Sequence, residues 1–358
     1  MIDTAFFYIE TEEKTMKNKK ALIAIIAAIV VIVAALLIWQ PWKKPVEQAT
    51  TPTGTTAPAT TSNLTFTTGG AAGTYYAFGT VLANYVSNNT DVKVTAVVGN
   101  GSADNIDALD IGDAQLAFVQ NDVANYAFNG IRFERYEGKP ITGFRAIASL
   151  YTEAVQLATC NPDIKTMEDL RGKNVSIGAV GSGVYFNALD FLAAYGMTVD
   201  DINPQYLNFA DSAESLKDGK IDAAFIVSGA PTTAIADLFS SKQSYLISLD
   251  DAAVAKLQEI SGAYTKTVIP AGTYSNQAED VVTVGIKATI IANNKVSDEQ
   301  AYTIVKAIFE NKAAITEAHA KGAELDLDYA STCGRPYHAG AAKYFTVKGI
   351  TVEAKPFE

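Results

Sequence analysis

The sequence contains little imidazole and little thiol. Among its 358 residues there are two histidines and two cysteines. They have none of the spacings that bind zinc, and no D-x-[DN]-x-[DN]-G calcium loop is present. His319 and His338 are the only imidazole bases, so a Ser-His-Asp triad is not expected. We therefore expect a protein that binds a ligand rather than an enzyme, with neither a metal nor a cofactor.

Positive charge is also scarce. The chain has 28 lysines and arginines against 39 aspartates and glutamates, a formal net charge of -11. No basic cluster outside the N-terminus could neutralise a row of phosphates, so nucleic acid is not expected as a partner. Five residues are arginines, and none of them lies at a predicted strand end next to a glycine turn. Backbone N–H groups would then have to hold an anionic ligand.

The glycine-rich turns lack the signatures of nucleotide loops and of hydrolases. Neither G-x-x-x-x-G-K-[ST] nor G-x-G-x-x-G occurs in them. Ser182 lies between Gly181 and Gly183, but a nucleophile elbow needs glycines at the positions that Val180 and Val184 occupy. Nucleotide binding and serine hydrolysis are therefore not expected.

An uncharged run of 19 residues, 21–39, follows three lysines near the N-terminus. As a helix it would span roughly 29 Å, close to the hydrocarbon thickness of a bilayer. The lysines predict that residues 1–20 are cytoplasmic and that the body lies outside the membrane. A cleaved signal peptide is the alternative to an anchor, and Met16 is an alternative start.

Residues 40–63 are rich in threonine, proline and alanine, a composition that favours a tether without a core of its own. Cys160 and Cys333 lie in the part predicted to be exported, where a disulfide is permitted. One pair cannot be inferred from sequence, and two separate buried thiols are the alternative.

Two glycine-rich turns organise the body. The first follows a predicted strand at residues 64–68 and precedes a helical pattern, and the second, within residues 175–183, repeats this design. Glycines let a ligand approach the backbone, and the first turn of a helix offers unpaired N–H groups and the positive end of its dipole. We expect two anion-binding turns that face each other. A plain structural turn is the alternative for each.

Short β-branched runs alternate with helical patterns from residue 64 onward, which is the order of an α/β protein. Extended stretches near residues 144–160 and 281–291 suggest two hinge crossings between two lobes. Each lobe is expected to be a mixed, mostly parallel sheet flanked by helices. Lobe 1 would hold residues 64–151 and 277–358, and lobe 2 would hold residues 152–276.

Ordered motifs across the body resemble those of one family. They read TTGGAAGTYYAFG, GNGSADNI, LAFVQNDVA, RAIASLYTE, VSIGAVGSG, DAAFIVSGAPT, IPAGTY, AIFEN and PYHAGAAKYF. In this order they resemble the TAXI family of solute-binding proteins of TRAP transporters, over about residues 64–350. Val180 and Val184 depart from the family's second turn, where proline and threonine are usual, and Ala230 stands where tyrosine is common.

The resemblance implies a type II periplasmic-binding-protein fold with a ligand in the cleft between the lobes. The ligand would be a glutamate-like amino acid or a dicarboxylate. Cleft closure would capture it, and a fused TRAP permease driven by an ion gradient would receive it. A ligand-sensing receptor of the same fold without a permease is the alternative, and a monomer is expected.

The predicted ligand site combines the two turns with polar residues that follow strands and with a tyrosine at the first crossing. We expect the ligand carboxylate on N–H groups near residues 70–74 and 181–184, helped by the hydroxyls of Thr68 and Ser182. For Asn100, Ser102 and Asp122 a helix-capping role is the alternative. The full predicted set is Thr68, Gly70, Gly73, Tyr75, Tyr76, Asn100, Ser102, Gln120, Asp122, Tyr151, Gly181, Ser182, Gly183, Gly229 and Pro231.

Overall fold

The computed structural model describes residues 63–357. The predicted cytoplasmic segment, the anchor and all but the last residue of the tether lie outside the described residues. The described residues belong to one compact unit. None of the helices in this part of the chain is both long and apolar enough to cross a membrane.

The strands of the described residues form one sheet. Their order is β2-β1-β3-β10-β4-β7-β5-β6, with β8 paired to β4 and β9 paired to β10. The strands are β1 (Leu64–Thr67), β2 (Val94–Val97), β3 (Leu116–Gln120), β4 (Phe144–Thr159), β5 (Asn174–Ser176), β6 (Asn203–Gln205), β7 (Ala223–Ser228), β8 (Tyr245–Leu246), β9 (Thr265–Ile269) and β10 (Val281–Asn293).

The two longest strands, β4 and β10, lie antiparallel in the middle of the sheet. On one side β2, β1 and β3 are parallel, and we call them the first end. On the other side β7, β5 and β6 are parallel, and we call them the second end. The sequence predicted two extended runs around residues 144–160. They form one strand because residues 151–154 also pair with β10.

Each end of the sheet has its own apolar core, and the two long strands contribute to both. Ala148 and Ile290 pack in the core of the first end. Leu157 and Ile286 pack in that of the second end. Residues 281–286 therefore pack at the second end, where β9 pairs with them, although the predicted lobe 1 included them. The division into two lobes stays a prediction.

Helices flank the sheet, and several begin at residues whose side chains accept a hydrogen bond from the first turn. Asn208 accepts from Asp211, and Ser297 forms a capping box with Gln300. The sequence predicts this cap, because Glu299 and Gln300 follow Ser297 in the first turn. The α-helices are α1 (Thr74–Asn89), α2 (Ser102–Asp110), α3 (Asn121–Asn129), α4 (Gly183–Ala194), α5 (Phe209–Asp218), α6 (Thr233–Ser241), α7 (Asp251–Ile260), α8 (Asp298–Glu310), α9 (Lys312–Ala318), α10 (Leu327–Ala330) and α11 (Ala339–Val347).

Two local features differ from what the sequence predicts, and a third decides between a disulfide and two separate thiols. The helical pattern of residues 297–319 predicts one long helix, but the chain is divided at Asn311, which ends α8 and precedes α9. The pattern of residues 231–239 predicts a helix with Pro231 in its first turn, whereas Pro231 precedes α6 and its bond to Ala230 is cis. Cys160 and Cys333 are separate free thiols.

Candidate functional site

A cavity of about 320 Å³ lies where the two ends of the sheet meet. Its volume falls at the lower end of the range of roughly 300–1,000 Å³ that is usual for small-molecule sites. The wall comes from the turns that precede α1, α2, α4 and α5 and from strands β3, β4 and β7. The lining residues are Gly69, Gly70, Ala71, Ala72, Gly73, Thr74, Tyr75, Val98, Gly99, Asn100, Gly101, Ser102, Gln120, Glu153, Ala179, Ser182, Gly183, Val184, Leu207, Asn208, Phe209, Ala210, Val227 and Ser228.

The first glycine turn is docked onto the second end of the sheet. The N–H of Thr74, the first residue of α1, donates to Oγ of Ser228 over 3.2 Å. Oγ1 of Thr74 donates to the carbonyl oxygen of Gly229 over 3.1 Å. The carbonyl oxygen of Ala72 accepts from the N–H of Ala234 at the start of α6. The N–H of Thr74 therefore already has an acceptor within the protein.

The second glycine turn keeps the first N–H groups of its helix available. The N–H and the hydroxyl of Ser182 both donate to the carbonyl oxygen of Ala179. The carbonyl oxygen of Gly181 accepts from the N–H groups of Ala103 and Asp104 in the first turn of α2. The N–H groups of Gly183 and Val184, by contrast, have no acceptor among the described residues, and both residues line the cavity.

The predicted hydroxyl donors need correction. The hydroxyl of Ser182 is engaged within its own turn over 2.7 Å. That of Thr68 donates to the carbonyl oxygen of Val97, and Thr68 is outside the cavity wall. Neither hydroxyl is free to donate to an anion. The N–H groups of Gly183 and Val184 at the start of α4 are among the donors that a ligand can use.

The electrostatics of the cavity favour an anion at the helix N-termini. The first turns of α1, α2 and α4 border the cavity, and each presents the positive end of a helix dipole. No lysine, arginine or histidine is among the described lining residues. Arg145 is buried outside the wall and donates to the carbonyl oxygens of Thr142 and Lys355.

Glu153 is the only ionisable carboxyl in the described wall. It is 2% exposed, and its Oε2 accepts the hydroxyl hydrogen of Tyr75 over 2.6 Å. Burial raises the pKa of Glu153 to about 8, and the charge of Asp122 adds to this shift, while the hydrogen bond from Tyr75 and the charge of Lys321 oppose it. The pKa of Tyr75 is raised well above its usual value, chiefly by burial and then by Glu153. At neutral pH this carboxyl therefore holds a proton.

Gln120 supplies a second polar group without a protein partner. Its side chain lines the cavity, and Oε1 is buried with no hydrogen-bond partner among the described residues. The backbone N–H of Gln120 donates to Oγ of Ser102 over 3.0 Å, which holds the end of β3 against α2. A Cβ on Gly183 would lie 1.8 Å from Gln120 Oε1. Glycine at 183 therefore leaves room for this amide.

A buried polar network joins α3 of the first end to α4 of the second end. Oδ2 of Asp122 accepts from Asn187, which also donates to the hydroxyl of Tyr264. That hydroxyl donates to Asp190, and Asp190 pairs with Arg132. Burial raises the pKa of Asp122 to about 7. Asp122 thus joins the two ends but does not line the cavity.

Of the predicted site residues, the structure places in the wall Gly70, Gly73, Tyr75, Asn100, Ser102, Gln120, Ser182 and Gly183. Gly181 does not line the cavity, and a Cβ on it would meet the side chain of Asp104. Tyr76 is partly buried on α1 outside the wall, and Pro231 is exposed before α6. Gly229 makes room for Lys321 and Tyr151, since a Cβ there would lie 2.5 Å from Cε of the lysine.

Tyr151 was predicted as a ligand-site residue at the first crossing, with a packed tyrosine as the alternative. It is a fully buried residue of β4. Its ring packs edge-on against Phe78 and Phe118. It contributes to a separate, more open cavity with Glu324 and Tyr329 and does not line the cavity between the two ends.

The sequence motifs did not identify several residues of the cavity wall. Glu153 is two positions after Tyr151 within the RAIASLYTE motif, and a charged residue inside a long apolar strand was the signal that could have revealed it. Ser228 ends a buried strand just before the predicted Gly229. Phe209 and Val98 contribute apolar surface that no motif marked.

The comparisons with known proteins agree with this architecture. The model described as the NMT1-like family matches residues 66–349. Similar solved structures include a periplasmic transporter with 13% identity and a TM-score of 0.52, covering 74% of this chain and 88% of that chain. The alkanesulfonate-binding protein from Xanthomonas axonopodis pv. citri, bound to MOPS, has 15% identity and a TM-score of 0.45, covering 82% of this chain and 92% of that chain.

An arginine-specific periplasmic binding protein from Salmonella typhimurium has 13% identity and a TM-score of 0.45, covering 72% of this chain and 98% of that chain. At such identities the likeness concerns the fold alone. The predicted fold class, an α/β fold with a mixed sheet and flanking helices of the type II periplasmic-binding-protein kind, is confirmed.

Proposed function

The chain belongs to the NMT1-like family and has the fold of periplasmic binding proteins, and from this premise we propose that it is an extracytoplasmic solute-binding protein for a small carboxylate. One observation carries the proposal. A cavity of about 320 Å³ presents the unpaired N–H groups of Gly183 and Val184 and contains no basic side chain among its described lining residues. Main-chain donors at a helix N-terminus bind an anion without a counter-charge.

We further propose that the two ends of the sheet are two lobes that close on the ligand. The contacts from Gly181 to α2 and from Thr74 to Ser228 join the two ends beside the cavity. A ligand that binds the joined arrangement more tightly shifts the population toward it. The ligand then completes an interface that the protein only partly forms by itself.

The motifs that resemble the TAXI family support delivery of the ligand to a TRAP permease. In that arrangement residues 21–39 would anchor a monomeric receptor to the outside of the cell membrane. A sensory receptor without a permease would use the same cavity. Copurification of the full chain with a many-spanning membrane protein would distinguish transport from sensing.

Binding can be tested with the full chain in detergent. Thermal shift and titration calorimetry would use L-glutamate, succinate, glutarate and ethanesulfonate, with glucose as an uncharged control. A carboxylate at one hundred times its Kd should stabilise the protein by about 2.7 kcal/mol and raise Tm. Stabilisation by glucose alone, or by none of the anions, would contradict the proposal.

A further inference from the structure

The wall of the cavity is chemically asymmetric. Helix N-termini with N–H donors border it, and it also contains Glu153, a carboxyl near the second acidic residue Asp122. A simple dicarboxylate has two acceptor groups and would place one of them beside a carboxyl. A zwitterion has an acceptor and a cation, and it matches both kinds of group.

The carboxyl of Glu153 is fixed in position and only partly used by the protein. Tyr75 donates to Oε2, and the Tyr75 ring stacks on Phe118 with centroids 4.7 Å apart. Oε1 receives no hydrogen bond from the described residues, and Glu153 lines the cavity. The protein thus holds one oxygen with a rigid phenol and leaves the other to whatever enters the cavity.

We propose that Glu153 is a specificity-determining residue that receives the ammonium group of an amino acid whose carboxylate lies on the N–H groups of Gly183 and Val184. This inference rests on the proposed function and, of the two ligand kinds that the sequence resemblance implies, favours the amino acid over the dicarboxylate. Gln120, with its unpartnered Oε1, provides an additional acceptor for the same ammonium group.

The proposal predicts that ligand binding releases a proton. In the free protein the pKa of Glu153 is about 8, so the carboxyl carries a proton near pH 7. A cation beside a carboxyl lowers its pKa. Binding of an amino acid at pH 7 should therefore release close to one proton and become tighter as the pH rises toward 8. A dicarboxylate held by the protonated acid would behave in the opposite way, binding more weakly as the pH rises.

The test compares each amino acid with the analogue that lacks its amino group. The full chain in detergent is titrated with L-glutamate and glutarate, and with L-leucine and 4-methylpentanoate, and proton release is followed in unbuffered salt solution. One amino acid should bind about 10- to 150-fold more tightly than its analogue, the range for a hydrogen bond to a charged group. It should release roughly one proton.

Glu153→Gln keeps the shape and can still accept from Tyr75. It should lose both the preference for the amino acid and the proton release, because an amide has no acidic proton to lose. Glu317→Gln, the same change at an exposed glutamate of α9, is the matched control and should retain both the preference and the proton release. If Glu153→Gln does not fold, the proton release and the ligand preference of the unchanged protein decide the matter.

The outcomes separate this inference from the proposed function. Equal binding of amino acid and analogue, or tighter binding of the analogue, would overturn the role of Glu153 and leave the carboxylate receptor standing. Absence of binding by all four compounds would overturn both. An amino-acid preference that persists unchanged in Glu153→Gln would also contradict the assignment.

Discussion

The two glycine turns look alike in sequence but differ in what their N–H groups bind. Before α1, the N–H of Thr74 already donates to Ser228 of the opposite end. Before α4, the N–H groups of Gly183 and Val184 have no acceptor among residues 63–357, and the carbonyl oxygen of Gly181 instead accepts from α2. The N–H of the first residue of α1 thus joins the two ends of the sheet, whereas the N–H of the first residue of α4 is left for a ligand. A shared local motif does not imply a shared role, because the partner of each N–H comes from elsewhere in the chain.

The largest effect is expected for Gly181→Ala. Gly181 has a φ of +84°, and an added Cβ would lie 2.1 Å from Oδ1 of Asp104. The Asp104 carboxylate would have to move away from the second turn, which disturbs the contact of this turn with α2, so ligand binding should weaken by about tenfold, or 1.4 kcal/mol. Titration calorimetry with the carboxylate found in the ligand screen measures the loss.

Gly196→Ala is the control for this change. Gly196 also has a positive φ, +63°, but an added Cβ meets nothing within 4 Å. Both variants should lose about 1 kcal/mol of stability through the backbone conformation alone, and only Gly181→Ala should lose affinity. Equal affinity in the two variants would show that contact between the second turn and α2 is irrelevant to binding.

A smaller effect is expected for Ser228→Ala, which removes the acceptor of the Thr74 N–H. The hydroxyl of Ser228 also donates to Oγ1 of Thr74 over 2.9 Å. Loss of a helix cap costs typically about 1 kcal/mol, and here the cap joins the two ends. The melting temperature should fall and binding should weaken, by about fivefold if the whole cost appears in closure.

Ser240→Ala is the matched change on a surface helix. The Ser240 hydroxyl is exposed and bonds only within its own helix, to the carbonyl oxygen of Asp237. It should leave affinity and melting temperature close to those of the unchanged protein. If Ser228→Ala behaved like Ser240→Ala, the first turn would have no joining role.

Local pattern predicted much of the fold and only part of the site. The apolar run at residues 281–291 predicted strand β10, and the turn glycines predicted the starts of α1 and α4. These features depend on neighbours within a few residues. The partners that define the site do not, since Thr74 and Ser228 are 154 residues apart and Asp122 and Asn187 are 65 apart.

Glu153 shows why local sequence pattern did not predict the other residues of the site. In sequence it is a polar interruption of an apolar strand, and such a residue could equally face solvent at an edge. It lies in the wall because β4 passes through the middle of the sheet with β10 and β7 on either side. Its hydrogen bond to Tyr75 spans 78 residues. Position in the sheet, rather than composition of the segment, makes it part of the cavity.

The smallest effect is expected for Ser182→Ala, although its position in the second turn predicted a direct ligand contact. Its hydroxyl donates to the carbonyl oxygen of Ala179 over 2.7 Å, and its own N–H donates to the same oxygen. Removing the hydroxyl leaves that carbonyl with one donor and leaves the N–H groups of Gly183 and Val184 in place. We expect an affinity change below about threefold and a stability loss of roughly 0.5–1.5 kcal/mol.

Calorimetry on Ser182→Ala and Gly181→Ala together decides whether the hydroxyl of Ser182 contacts the ligand. A loss of tenfold or more for Ser182→Ala at unchanged stability would mean that the hydroxyl turns from Ala179 to the ligand, and the comparison of the two turns would then rest on side chains as well as on the backbone.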